Sequence, residues 1–147
     1  MGHSIILSVN VDATRERVFG ILTSTEGQKS FWTEDCEVHG DHARFGFAEA
    51  PVDLVVSVHQ EPNALVQMKV VSGFPFWDGS TWEWELSENG EAPGGTTVIF
   101  RHYGFGAGID ENSLGGTAQT WAMTLECLTK FIATGIAQPY FVARDPD

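Results

Sequence analysis

Positive charge is scarce in this sequence. Eight Lys and Arg stand against 20 Asp and Glu, for a formal net charge of -12. Nucleic-acid affinity depends largely on Lys and Arg neutralising phosphates. An acidic chain with few, scattered basic residues therefore argues against DNA, RNA or an anionic membrane surface as partner. Cysteine is nearly absent. Cys36 and Cys127 lie far apart, with no CxxC pattern, so they form no metal or thioredoxin signature. They read as two reduced, packed thiols of a cytoplasmic protein. No apolar run approaches the roughly 18 to 20 residues that span a bilayer. No basic stretch followed by an apolar core marks a secretory signal. Also missing are GxSxG, HExxH, a Walker loop and a GxGxxG opening a helix. Gly104-Phe105-Gly106-Ala107-Gly108 lacks the Lys-Ser/Thr of a nucleotide loop, and Asp110-Glu111 follows it. It reads as a flexible connection to the last helix, and no cofactor is expected.

What the chain does have is aromatic residues. Its 147 residues include 5 Trp and 10 Phe, and aromatics make up 12% of the total. Disordered acidic chains lack that content. The length suits one domain over 1–147, which buries roughly two-thirds of its unfolded surface without a disulfide or metal.

Ile5, Leu7, Val9 and Val11 alternate with polar residues, the period of a half-buried strand. Asp12 is a candidate N-cap for a short helix over 13–22. A polar stretch with Gly27 ends that helix, and a second helical turn leads into Phe31-Trp32. Candidate strands follow over 35–39, 42–48, 52–59, 64–71, 81–86 and 96–103. Gly40-Asp41, Pro51, Glu61-Pro62-Asn63 and Pro93-Gly94-Gly95 separate several of them. Trp82, Trp84 and Leu86 face one way and Thr81, Glu83 and Glu85 the other, which predicts an antiparallel sheet with one wet face. Leu114, Ala118, Trp121, Leu125, Leu128 and Ile132 recur at helical spacing, and Gly135 supplies a stop. The expected architecture is α+β, a curved antiparallel sheet wrapped around a long C-terminal helix, with two short helices after the first strand.

Several segments carry a resemblance. Ser4 to Phe19, with its strand, small-residue cap and helix bearing Val18-Phe19, resembles the entry of the family named after the activator of Hsp90 ATPase. That family belongs to the START/Bet v 1-like, helix-grip superfamily. Phe31-Trp32 stands where the family often has paired tryptophans. Glu61 to Val66 is similar to its Pro-containing turn, Gly95 to Phe105 to its last strand, and Trp121, Leu125 and Leu128 to its closing helix. The resemblance covers about 5–135. It implies a helix-grip fold enclosing an apolar cavity and a small hydrophobic ligand bound there. Two alternatives accompany it: a chaperone-associated interaction module, and a cavity enzyme of cyclase or hydratase type using His102. A monomer or homodimer is expected, and the larger architecture of the eukaryotic Hsp90 activators is not in this sequence.

Trp82, Trp84, Phe100 and Trp121 are expected to face one interior, with Phe45, Phe47 and Leu125 beside them. Wide rings can line a pocket or fill a core, and both readings stand. His102 shares the face of Val98 and Phe100. It is either a polar anchor or a buried His satisfied by a backbone or Tyr partner. His39, Asp41 and His42 make too small a set for a metal and read as a solvated turn. His59 reads as structural or solvated. Glu34, Asp35 and Glu37 read as solvated charges, and Met123 as a lone exposed side chain. Ser72 to Gly79 is an aromatic loop bounded by glycines, either a mouth over the cavity or a cap folded onto the core.

Overall fold

The structure is a computed structural model and describes residues 3–47 and 50–142. Its elements run β1 (Ser4–Val11), α1 (Arg15–Leu22), α2 (Thr25–Phe31), β2 (Cys36–Val38), β3 (His42–Phe47), β4 (Ala50–Glu61) and β5 (Leu65–Ser72). A 3-10 turn (Pro75–Trp77), β6 (Thr81–Glu88), β7 (Thr96–Tyr103) and α3 (Glu111–Thr134) complete them. The predicted strand residue Ala48 lies outside the described residues.

The apolar alternation of β1 becomes a half-buried strand, with Ile5 and Val11 in the core. The first helix does not start at Asp12, as its side chain suggested. Ala13 is buried and its carbonyl accepts the Thr96 hydroxyl at 2.7 Å, which keeps the chain extended one step further. Thr14 is the N-cap instead, accepting the Arg17 N–H at 3.2 Å. Ser24 caps α2 in the same way.

All seven strands form one antiparallel sheet in the order β1-β7-β6-β5-β4-β3-β2. Register shifts interrupt the β3–β4 and β4–β5 ladders, between Phe45 and Phe47 and between Val55 and Val56. Such irregularities bend strands and increase their twist. Pro51 falls at the second residue of β4, where a missing N–H is tolerated.

The apolar stripe of α3 faces the inner side of the sheet. Trp121, Leu125, Leu128 and Ile132 are buried, and Leu114 and Ala118 pack against the same core. Burying each such large side chain is worth roughly 1.5–3 kcal/mol. Asp110 caps the start of α3, and Gly135 ends it at φ 74°, a left-handed turn that suits glycine. This α+β arrangement is the expected helix-grip architecture.

The outer face of the sheet carries Glu83 and Glu85 as the alternation requires, yet Glu83 is only 9% exposed. Burial raises its carboxyl pKa. Hydrogen bonds from Gln67, Tyr103 and Arg101 outweigh that and hold it below the usual range.

After α3 the chain returns along 31–34. The N–H groups of Tyr140 and Phe141 donate to the carbonyls of Phe31 and Trp32, and Phe141 forms a parallel bridge with Thr33. Sequence periodicity had stopped at Gly135, so this return is a structural finding.

Candidate functional site

The aromatic residues of the inner face form one continuous array. Trp121 touches Phe100 at 4.5 Å between ring centroids, Trp32 at 5.0 Å and Trp82 at 5.5 Å. Trp84 stands edge-on to Phe31 and Phe100. Phe45, Trp82, Trp84, Phe100 and Leu125 lie inside this packing, each at most 2% exposed.

At one end the array opens into a cleft of about 380 Å³ between the 3-10 turn and the first half of α3. Its indole wall is Trp32, Trp77 and Trp121, with Trp77 stacked parallel to Trp121 at 5.9 Å and 11°. Phe47, Phe74, Phe76 and Phe141 form the opposite rim, and Phe74 stacks on Phe76 at 5.6 Å. Ala50 adds a small apolar contact. The helix supplies Ser113, Gly116, Thr117 and Thr120. Of the eight residues singled out from sequence, Phe47 and Trp121 line this cleft. The other six, His102 among them, sit outside its lining.

The glycine-bounded loop of 72–79 does two things at once. Gly73 (φ 148°) and Gly79 (φ 74°) give the backbone the positive φ values that turn the 3-10 segment back over the sheet. Trp77 folds onto the core and is 7% exposed, while Phe76 stays 42% exposed at the cleft rim. The loop is therefore partly cap and partly mouth.

His102 is fully buried, and both ring nitrogens are engaged. The Trp121 Nε1–H donates to its Nδ1 at 3.1 Å. Nδ1 is then an acceptor, so Nε2 carries the proton and donates to Ser80 Oγ at 2.8 Å. Ser80 in turn donates to the Trp77 carbonyl at 2.7 Å. The partners are thus Ser80 and Trp121 rather than a backbone group or a Tyr. Desolvation pushes the imidazole down to about 3, so it is neutral at ordinary pH. This chain ties the two stacked indoles of the cleft to one strand. A second tie runs from the Trp77 indole N–H to Thr117 Oγ1 at 3.2 Å, and Thr117 donates to the Ser113 carbonyl.

The remaining candidates lie apart from the cleft. His42 and Asp41 bond each other in an exposed turn, and Arg44 pairs with Asp35 and Asp53 at the surface. Exposed pairs of this kind contribute little. Among the described residues no group of three His, Cys, Asp or Glu is placed to hold a metal. No described helix is long and apolar enough to cross a membrane. Cys36 and Cys127 are both free thiols, and burial raises Cys36 to about 11, far from a reactive thiolate.

Sequence reasoning marked the loop of Phe74, Phe76 and Trp77 as mouth or cap without naming its rings as lining, and passed over Trp32, Gly116 and Phe141 as site residues. Two signals were present: the density of rings in 74–77, and a Gly115-Gly116 pair inside a helical pattern, where glycine is costly. Nothing marked Phe141.

The curved antiparallel sheet closed by a long C-terminal helix is a helix-grip α+β fold. No protein-family model matches the chain, and no curated protein matches it. Solved structures do. The Aha1 dimer from Colwellia psychrerythraea superimposes with a TM-score of 0.75 at 24% identity, over 90% of this chain and 98% of that one. DynU16, a protein in the dynemicin biosynthetic locus, gives 0.75 at 17%, over 95% of this chain and 50% of its own. A START superfamily protein from Mycobacterium smegmatis gives 0.67 at 14%, over 87% and 97%. At these identities the similarity is one of fold.

Proposed function

We propose that this protein binds a small hydrophobic molecule in the cleft between the 3-10 turn and α3. The observation that carries this is a ring-lined opening of about 380 Å³ beside a core of buried rings. Ligand sites in proteins are concave, mostly apolar and a few hundred Å³ in volume. Trp77 and Trp121 are held by hydrogen bonds at their N–H ends, which leaves ring surface free for contact. His102 then serves as a strut for those rings. Its Nε2 proton is donated to Ser80, its Nδ1 accepts from Trp121, and it lies outside the lining, so it does not meet a guest.

The matching order of segments favours the Aha1-like branch of the superfamily, and the likeness to the Colwellia Aha1 supports this at the level of fold. Two unpaired thiols fit a cytoplasmic location. Titration with N-phenylnaphthylamine, a neutral fluorescent probe, tests the binding reading. Saturable enhancement at one probe per chain is expected, and a linear, non-saturating response would contradict it.

A further inference from the structure

The lining of the cleft differs from the rest of this acidic chain. Among the described residues it contains no Asp, Glu, Lys, Arg or His, although the protein carries a net charge of -12. A buried carboxylate or ammonium group on a guest would find no counter-ion there, and unpaired charge is costly to desolvate. The walls are flat. Three indoles and four phenyl rings offer faces to a planar guest.

The polar groups of the lining fall into two sets. The N–H groups of Trp77 and Trp121 and the Thr117 hydroxyl are committed inside the protein. The hydroxyl of Thr120 and the indole N–H of Trp32 make no hydrogen bond with the described residues, whereas the Ser113 hydroxyl bonds the Asp110 carboxylate at the start of α3. Ser113 and Thr120 stand two turns apart on one face of α3, with Gly116 between them. A Cβ built on Gly116 would meet nothing within 4 Å, and its φ is not in the positive range. Neither tight packing nor backbone conformation therefore requires glycine there. Glycine in a helix interior costs about 1 kcal/mol relative to alanine. What its bare backbone does provide is a flat floor beside the free Thr120 hydroxyl.

We propose that the cleft selects an uncharged, planar ring molecule with a hydroxyl or carbonyl edge, laid on the Gly116 face of α3. This rests on the binding reading above and adds the ligand class and the seat. The ring plane lies against the indole wall, and the polar edge meets Thr120 and the Trp32 N–H.

Displacement of N-phenylnaphthylamine by four competitors tests the class: naphthol, naphthalene, decanol and decanoate. Naphthol is expected to compete best. Naphthalene, lacking one neutral hydrogen-bonding group, is expected to be roughly two- to tenfold weaker. Decanoate is expected to be weaker than naphthol by roughly tenfold or more. Gly116→Leu places a side chain in the open space and is expected to abolish probe binding. Gly115→Leu is the matched control. Gly115 is exposed, lies outside the lining and has equally open space at its Cβ, so binding is expected to persist. Thermal melts of both variants confirm folding. Decanol or decanoate competing as well as naphthol overturns the ligand class while leaving cleft binding intact. Probe binding that survives Gly116→Leu overturns the seat. Failure of the probe to bind the unaltered protein removes the binding reading and this inference together.

Discussion

Trp84 and Trp77 are both tryptophans on the inner side of the same fold, and their surroundings differ. Trp84 is enclosed by Phe31, Phe100 and Trp121, with α1 and α2 closing over β6. Trp77 is stacked on Trp121 and hydrogen-bonded to Thr117, with the cleft beside it. Trp84 has its Nε1–H buried without a partner among the described residues, whereas the Nε1–H of Trp77 has one. Both ends are rich in rings. What separates a core from a cleft is the cover: two helices at one end, a glycine-hinged turn and a bare helix face at the other.

The largest test of this contrast is truncation at the closed end. Trp84→Ala is expected to cost about 3–5 kcal/mol, read as a lower denaturant midpoint. Phe76→Ala, removing a half-exposed ring at the open end, is expected to stay within about 0.5 kcal/mol while weakening probe binding several-fold.

Acid gives the next largest effect, through the strut that links the two ends. His102 is neutral in the fold with a pKa of about 3, against 6.5 when unfolded. Below pH 6.5 the unfolded chain takes up a proton that the folded chain refuses. Stability is therefore fully present above 6.5, falls towards pH 3 and levels off beneath it. The slope from this one group is about 1.4 kcal/mol per pH unit. The difference in denaturation midpoint between the unaltered protein and His102→Asn from pH 6.5 to 5 isolates it. His102→Asn is expected to be less stable at pH 7 and to lack most of that slope.

The smallest expected change sharpens the contrast from the helix side. Gly116→Ala and Gly115→Ala are each expected to stabilise α3 by up to about 1 kcal/mol. Only the substitution at 116 adds a methyl group to the cleft. A rise in melting temperature shared by both, with weaker probe binding in one, separates helix propensity from ligand seating.

Much of the fold was legible because period alone sets it. The 81–86 alternation put Trp82, Trp84 and Leu86 inside, and the four-three spacing of 114–132 put Trp121, Leu125 and Leu128 on the buried stripe of α3. Alternation also placed His102 inside. It was silent on the partners, because Ser80 lies 22 residues away and reaches the ring only through strand pairing. Helix starts were less legible. Asp12 has the right side chain, but the Thr96–Ala13 bond decides where the chain turns. The cleft was least legible. Its rings come from α3, β3, the 3-10 turn, the residue after α2 and the returning tail at Phe141. Periodicity identifies which side chains face inward. Whether they meet or leave a gap depends on tertiary geometry, in particular the absent side chain at Gly116.

The central claim is that a guest seats at the Trp77 end and not within the core around Trp84. The five tryptophans give five indole N–H signals in a two-dimensional nitrogen–proton NMR spectrum, assignable by single Trp→Phe substitutions. In a naphthol titration, the signals of Trp32, Trp77 and Trp121 are expected to shift progressively and saturate together, with that of Trp84 almost unmoved. The largest shift at Trp84, or no shift at any of the five, would contradict the claim.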